Sequence, residues 1–460
     1  MEIAPLFIFA KACLCAEGWA QNVLIDIDAS GRIASVQSDS GCPENTMQVS
    51  VLLPAPINAH SHGFQRAMAG LTEARGPTGT DSFWTWRSLM YRFLDQLDPD
   101  DVEAITAFVH MEMLEAGYGG SVEFHYLHHQ PGGAPYAALG EMSERVCAAA
   151  ATSGIGLTLL PVLYQYGGCD QRPLGPGQCR FGNDLDLFAQ LLDHAGKSIA
   201  QLPQDAVLGV APHSLRAVAQ LDLKEIAHLR PQSPVHMHLA EQLAEVDEVL
   251  HHWHARPVEW ALDNLDLDAR WCLIHCTQMT DFETTSLAAT GAIAGLCPTT
   301  EASLGDGIFN GVAWLGAGGR LAIGSDSNIR ISLAEELRQL DYSQRLRDRS
   351  RAALATADTS TGRRIFDAAC AGGAQAAGRK TGRIETGAWA DLMALNADHV
   401  TLAARTADQV LDSFVFAGGS RMVTDVWSAG RHLVQYGRHL HRDSIESAYR
   451  DVLNRLSGAL

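Results

Sequence analysis

The chain has no Cys-x-x-Cys pair, although it holds 10 cysteines in 460 residues. Their spacings are irregular. Cys13, Cys15, Cys147, Cys272, Cys276 and Cys297 sit in apolar company, so buried thiols are expected rather than a disulfide framework. That points to a reducing compartment. No Gly-x-Gly-x-x-Gly follows a strand-like run, so a dinucleotide fold has no support. No apolar run reaches the roughly 20 residues of a membrane span. Basic charge is scarce: 34 Lys and Arg against 53 Asp and Glu leave a net charge of −19. This argues against nucleic-acid and anionic-membrane partners, and an anionic substrate would need its own basic pocket. The stretch Ile3–Cys15 faintly resembles a secretory leader. It lacks a basic start, carries Glu2 and has no small-residue cleavage site. The expectation is a soluble, cytoplasmic protein. Solenoid repeats and low-complexity segments are absent.

What is present is a chain too long for one small core. Asn22–Asp28 alternates apolar and polar residues, Ala29–Arg32 reads as a turn, and Ile33–Val36 resumes the strand. Short apolar runs then recur near 51–60, 120–125, 156–162, 207–212, 235–239, 271–275, 291–296 and 321–325. Helical stretches such as Asp101–Ala116 and Ser143–Thr152 separate them. Eight strand–helix units predict an α/β fold, a (β/α)8 TIM-like barrel. A doubly wound open sheet is the structural alternative. Gly382–Leu395, Arg421–Trp427 and Arg431–Val434 read as later strands, and 446–458 as a closing helix. The expected division is 1–52 as the N-terminal part of a β-domain, 53–380 as the barrel, and 381–460 as the rest of the β-domain with the closing helix. That β-domain is expected to be a small sandwich built from both termini.

Chemistry gathers at the ends of the predicted strands. His60 and His62 lie two apart on an extended run, so their imidazoles point to one side. In a chain with 19 histidines such a pair is common by chance. However, His238 ends another run with Glu241 three residues on, His275 ends a third, and Asp326 follows a fourth. Each alone has a plain structural reading; Asp326, for example, could be a helix N-cap. Strand ends converge on one mouth of such a barrel, and together these groups predict a metal centre. Three imidazoles and a carboxylate with an open position suit a catalytic Zn²⁺, and softness also admits Fe²⁺ or Mn²⁺. Such an ion brings the pKa of water from about 16 towards 7. No strand-end lysine offers a bridging carbamate, so one divalent ion is expected rather than two.

His60-x-His62, His238-x-x-Glu241, His275 and Ser325-Asp326-Ser327 resemble the mononuclear amidohydrolase superfamily, in its deaminase branch. Gly387-Ala388-Trp389-Ala390-Asp391-Leu392 resembles its C-terminal β-element, with Trp389 where Lys or Arg is common. The resemblance implies His60, His62, His238 and Asp326 as ligands. It implies Glu241 as proton shuttle, with His275 steadying the hydroxide and the developing tetrahedral intermediate. His60 to Gly70, Phe83–Arg87, Glu123-Phe124-His125-Tyr126-x-His128-His129 and Pro212–Arg216 are similar to the formimidoylglutamate deiminases. These hydrolyse N-formimino-L-glutamate in histidine degradation. That likeness implies release of ammonia and formation of N-formyl-L-glutamate, with Glu241, His275 and Asp326 catalytic.

The two carboxylates of such a substrate need a bidentate cation. Arg216, beside His213, is the expected one, with Gln65 and Tyr126 adding neutral hydrogen bonds and Trp86 forming a wall. Arg66 and Arg87 are weaker candidates for that cation and read rather as structural. His128 and His129 read as loop residues, and His251, His252 and His254 as a solvated helix. A purine or nucleoside deaminase, reading a base with Arg216, Tyr126 and Gln65, stays open. So does a scaffold that has lost its metal. The small-molecule enzyme reading also carries the expectation of a homodimer.

Overall fold

The computed structural model of the chain describes residues 6–44, 46–73 and 83–457, the side chains of 83–85 excepted. Of the expected Phe83–Arg87 motif, the first three side chains therefore lie outside the described part.

Both termini feed one hydrogen-bonded sheet of eight strands. Leu6–Cys15 pairs antiparallel with Gly18–Ile27 and parallel with Met47–Pro54. Met47–Pro54 pairs in turn with Leu392–Leu395, which leads through Val423–Ser428 and Arg431–Gln435 to Arg438–His439. Ile33–Gln37 closes the other edge. Alternation explains the burial: Val23, Ile25 and Ile27 face the core while Asn22 is exposed. The turn between strands is held by Asp28, whose carboxylate accepts from the amides of Ser30 and Arg32. Arg32 lies over the Trp389 ring at 3.7 Å, so that tryptophan supplies a cation–π platform. The strands form a single continuous sheet where a two-sheet sandwich was expected.

The run expected near 51–60 divides between two sheets. Pro54 and Pro56 lack the amide hydrogens a continuous ladder would need, so Met47–Pro54 ends in the terminal sheet and Ile57–Ser61 begins another. Ile57–Ser61, Gly120–His125, Gly156–Leu163 and Val207–Leu208 run parallel, with Ala211–Pro212 also on Gly156–Leu163. Val235–Leu239, Trp271–His275, Ile293–Leu296 and Arg320–Ile323 form a second parallel sheet. Single parallel bridges join the two at both seams, Ser61 to Asp326 on one side and Val210 to Val235 and Ser214 to His238 on the other. Most of these strands are buried along their whole length, as parallel strands covered on both faces must be.

Helices cover them. Pro99–Glu115 starts on a reciprocal cap in which Asp98 and Asp101 each accept the other's amide, with Pro99 in the first turn. Thr361–Ala376 approaches so closely that a Cβ on Gly372 would sit 1.8 Å from the Leu321 carbonyl oxygen. The last helix, Arg442–Leu456, begins four residues before its expected start and stacks Tyr449 on Phe108 at 4.0 Å. All ten cysteines are free; Cys13, Cys147, Cys272, Cys276 and Cys297 are buried and Cys15 half-buried. No described helix is long and apolar enough to cross a membrane.

Candidate active site

Four ligand-type side chains meet where the two parallel sheets join. His60 is the penultimate residue of Ile57–Ser61 and His62 follows the strand, their ring centroids 4.7 Å apart. His238, on Val235–Leu239, brings its ring to 4.9 Å from that of His60. Asp326 Oδ1 lies 3.5 Å from His60 Nε2 and 3.3 Å from His62 Nε2. One ligand atom from each of the four lies within 4.8 Å of the others. A Cβ on Gly324 would stand 2.7 Å from the His60 amide nitrogen, so glycine is what lets the last strand close on the first. The Asp326 amide then donates to the His60 carbonyl at 2.9 Å, and the His62 amide to the Asp326 carbonyl at 3.0 Å. Asn58 and Asn328 brace the joint through Ser325, Ser61 and the His62 carbonyl. Asp326 and His275 hold left-handed backbones, φ 47° and 72°, a strain typical of functional sites.

Orientation and charge fit a divalent ion. His62 Nδ1 lies 3.1 Å from the Phe124 carbonyl oxygen, and His238 Nδ1 3.1 Å from that of His213. Donation there turns each Nε2 lone pair towards Asp326. Neither ring nitrogen of the wholly buried His60 has a hydrogen-bond partner among the described residues. Burial pushes the His60 pKa down to about 3 and lowers His62 and His238, so all three are neutral at pH 7. Although burial opposes it, the surrounding imidazoles hold Asp326 below the usual carboxylate range. Three neutral imidazoles and a carboxylate are a donor set for zinc or a similar ion.

Beside this set stand two more buried groups. Glu241 Oε1 is 3.7 Å and Asp326 Oδ2 3.9 Å from His275 Nε2, while His275 Nδ1 lies 3.3 Å from Glu301 Oε1. Burial disfavours the imidazolium of His275, but Glu241, Glu301 and Asp326 outweigh it and carry the pKa up to about 10. Burial raises the Glu241 carboxyl above its ordinary value, against the pull of His275 and Arg216. Glu245 fixes the turn that presents Glu241 by accepting the amides of Ala240 and Glu241 at 3.1 and 3.0 Å.

All the expected substrate-binding residues, Gln65, Trp86, Tyr126, His213 and Arg216, line the cavity above these groups. Gln65 donates to the Tyr126 hydroxyl at 2.9 Å. Arg216 is only 8% exposed, which removes its reading as a surface arginine. Arg66 pairs with Glu112 at 2.6 Å and is structural, as expected. Arg87 lines the cavity and donates to the Tyr164 hydroxyl at 2.9 Å and to that of Tyr91. The signal for it was the helix Phe83–Leu94, whose residues 86, 87, 90 and 91 share one face and all line the cavity. Tyr164 and Glu301 were also missed. His128 and His129 bond to the Val162 and Gly182 carbonyls, away from the cavity. His251, His252 and His254 are exposed at the end of Leu243–Trp253.

Residues 51–433 match the amidohydrolase family, and 6–43 match the N-terminal domain of formimidoylglutamate deiminase HutF. The chain belongs to the amidohydrolase family. Within it, the chain is 44% identical to the formimidoylglutamate deiminase of Pseudomonas aeruginosa, over 98% of this chain and 99% of that protein. It is 28% identical, over 83% of this chain and 81% of the relative, to a 5-methylthioadenosine/S-adenosylhomocysteine deaminase of Natronomonas pharaonis. The crystal structure of an amidohydrolase from Brucella melitensis superposes with a TM-score of 0.94 at 47% identity, covering 98% of this chain and 99% of that one. An adenosine deaminase from Xanthomonas campestris with bound zinc shares the fold, with a TM-score of 0.80 at 21% identity over 98% of each chain.

Proposed function

We propose that this chain hydrolyses N-formimino-L-glutamate to N-formyl-L-glutamate and ammonia, a step of histidine degradation. The observation that carries this reading is the pair of guanidinium groups, Arg87 and Arg216, in one cavity with Glu241 and three of the four ligand residues, His62, His238 and Asp326. A substrate with two carboxylates and an amidine needs both cationic and acidic side chains in its cavity. Guanidinium is the side chain that grips carboxylates through two parallel hydrogen bonds. The reading takes the two parallel sheets as one (β/α)8 barrel over about 53–380, with these groups at its mouth.

His60, His62, His238 and Asp326 would hold a single divalent ion, zinc by choice and ferrous iron as the alternative. Once bound, that ion supplies a water-derived nucleophile at neutral pH and polarises the formimino carbon's surroundings. Arg216 and Arg87 anchor the carboxylates, and Gln65, Tyr126 and His213 orient the chain between. Glu241 takes the two protons of the attacking water in turn and delivers both to the terminal imino nitrogen of the amidine. The bond from carbon to that nitrogen breaks, ammonia leaves and the formyl oxygen remains. His275, cationic in this setting, stabilises charge developing on the oxygen.

A nucleoside deaminase is the second reading, favoured by the likeness to methylthioadenosine deaminases. The buried Arg216 and half-buried Arg87 suit a purine or ribose poorly, since neither carries an anion. Ammonia release from N-formimino-L-glutamate, 5′-methylthioadenosine and guanine, each with zinc-loaded protein, separates the readings. Release from the first alone is expected; release only from a purine overturns the proposal.

A further inference from the structure

A second group of metal-ligating side chains adjoins the first. His275, Cys297 and Asp326 each offer a ligand atom, all within 4.8 Å of one another and all buried. Asp326 faces both ways: Oδ1 lies 3.3 and 3.5 Å from His62 and His60, while Oδ2 lies 3.9 Å from His275 Nε2. His275 turns Nδ1 to Glu301 at 3.3 Å, which leaves Nε2 directed at this space. Cys297 ends Ile293–Leu296, and its amide donates to the same Glu301 carboxylate at 2.8 Å, so one acid sets both ligands. The thiol is wholly buried among Ala59, Cys272 and Ile274, behind the cavity wall that His275 and Asp326 form.

We propose that His275, Cys297 and Asp326 form a second, inhibitory site for a thiolate-preferring divalent cation such as cadmium or excess zinc. Imidazole, carboxylate and thiolate together select a soft or borderline ion, and the thiolate is the donor the first site lacks. On binding, the Cys297 sulfur–hydrogen bond gives way to a sulfur–metal bond, the imidazolium of His275 gives up its Nε2 proton for a nitrogen–metal bond, and both protons pass to solvent. Occupation takes the His275 Nε2 face away from Glu241. The inhibitory consequence rests on the deiminase reading above; the site itself does not.

The test starts from holoenzyme carrying one zinc per chain, titrated with Cd²⁺ and followed by equilibrium dialysis and ultraviolet absorbance. The expected result is a second ion per chain with zinc retained, together with a thiolate-to-cadmium charge-transfer band. Both should be lost in Cys297→Ala and Cys297→Ser and kept in Cys272→Ala, a thiol of the same cluster. Cadmium inhibition of ammonia release should weaken at least tenfold in the two Cys297 variants. Absence of the band in wild type, one-for-one exchange of zinc, or an equal band in both Cys297 variants would overturn the site. If N-formimino-L-glutamate is not a substrate, the dialysis and absorbance results still decide, so the two failures are distinguishable.

Discussion

Arg216 Nη2 stands 3.9 Å from Glu241 Oε2, both side chains being less than a tenth exposed. The group proposed to hold a substrate carboxylate and the group proposed to move its proton thus face each other in one small space. Arg216→Ala should act on binding more than on chemistry. A charged hydrogen-bonded contact is worth roughly 1.5–3 kcal/mol, so kcat/KM should fall roughly 10- to 150-fold, mainly through KM. Steady-state kinetics with N-formimino-L-glutamate check this. A loss confined to kcat would remove Arg216 from carboxylate binding.

Glu241→Gln keeps the shape of the side chain and its place behind the Glu245-bound turn, but cannot carry a proton. The four ligand residues are untouched, so metal content should equal that of wild type. Turnover should fall by roughly 10²- to 10⁴-fold, the usual worth of a general acid–base. Metal analysis beside kcat separates the two effects, and retained turnover would assign the proton to another group.

How far these residues could be read beforehand depended on where each lies. His60, His62, His238, His275 and Asp326 follow continuous apolar runs, which parallel burial on both faces imposes, so their strand-end placement was legible. Glu241 came with His238 through spacing alone. Two features were hidden. The division at Pro54 and Pro56 was overlooked because apolar character runs unbroken across both prolines. The place of Arg87 in the cavity wall was missed because it depends on Tyr91 and Tyr164, one a helical turn away and the other on a loop 77 residues on. Periodicity shows which face of a helix it occupies but not which cavity that face meets.

Arg87 can be tested against the substrate instead of against stability. If it binds one of the two carboxylates, Arg87→Ala and removal of that carboxylate from the substrate delete the same contact. Each alone should lower kcat/KM by roughly 10- to 100-fold, while the two together should cost little more than either. Tyr164→Phe, which removes one support of the guanidinium, should cost less than Arg87→Ala. Fully additive losses would show that Arg87 meets neither carboxylate.

Removal of the ion should affect folding as well as activity. Three imidazoles and a carboxylate converge only in the folded chain, so the ion binds the native state selectively. At free metal about 1,000-fold above its Kd, this linkage stabilises by about 4 kcal/mol. Chelation should therefore abolish ammonia release and lower Tm by several degrees. Readdition of Zn²⁺, Fe²⁺ or Mn²⁺ should restore both, and the ion that restores most activity indicates the preferred metal. An unchanged Tm on verified metal loss would contradict the four-ligand assignment.

Asp205 connects the parallel strands to the terminal sheet, and its pH dependence follows from its partners. Arg431 meets its two oxygens at 2.8 Å each, and Arg379 approaches at 3.0 Å while also bonding Asp391 at 3.0 Å. Burial alone would raise the Asp205 carboxyl, but the two guanidinium groups outweigh it and bring the pKa down to about 2. The folded value is depressed, so the stabilisation is present above the unfolded carboxyl pKa near 4. It is lost as pH falls from about 4 to about 2. A shift of just under two units corresponds to about 2 kcal/mol. Asp205→Asn should cost at least that much at pH 7, since it also leaves the half-buried Arg431 without its carboxylate. Urea unfolding of both proteins at pH 7 and near pH 3 checks the sign: the gap between wild type and variant should narrow at the lower pH. A gap that stays constant would mean that packing around Asp205, and not its charge, holds the strands to the terminal sheet.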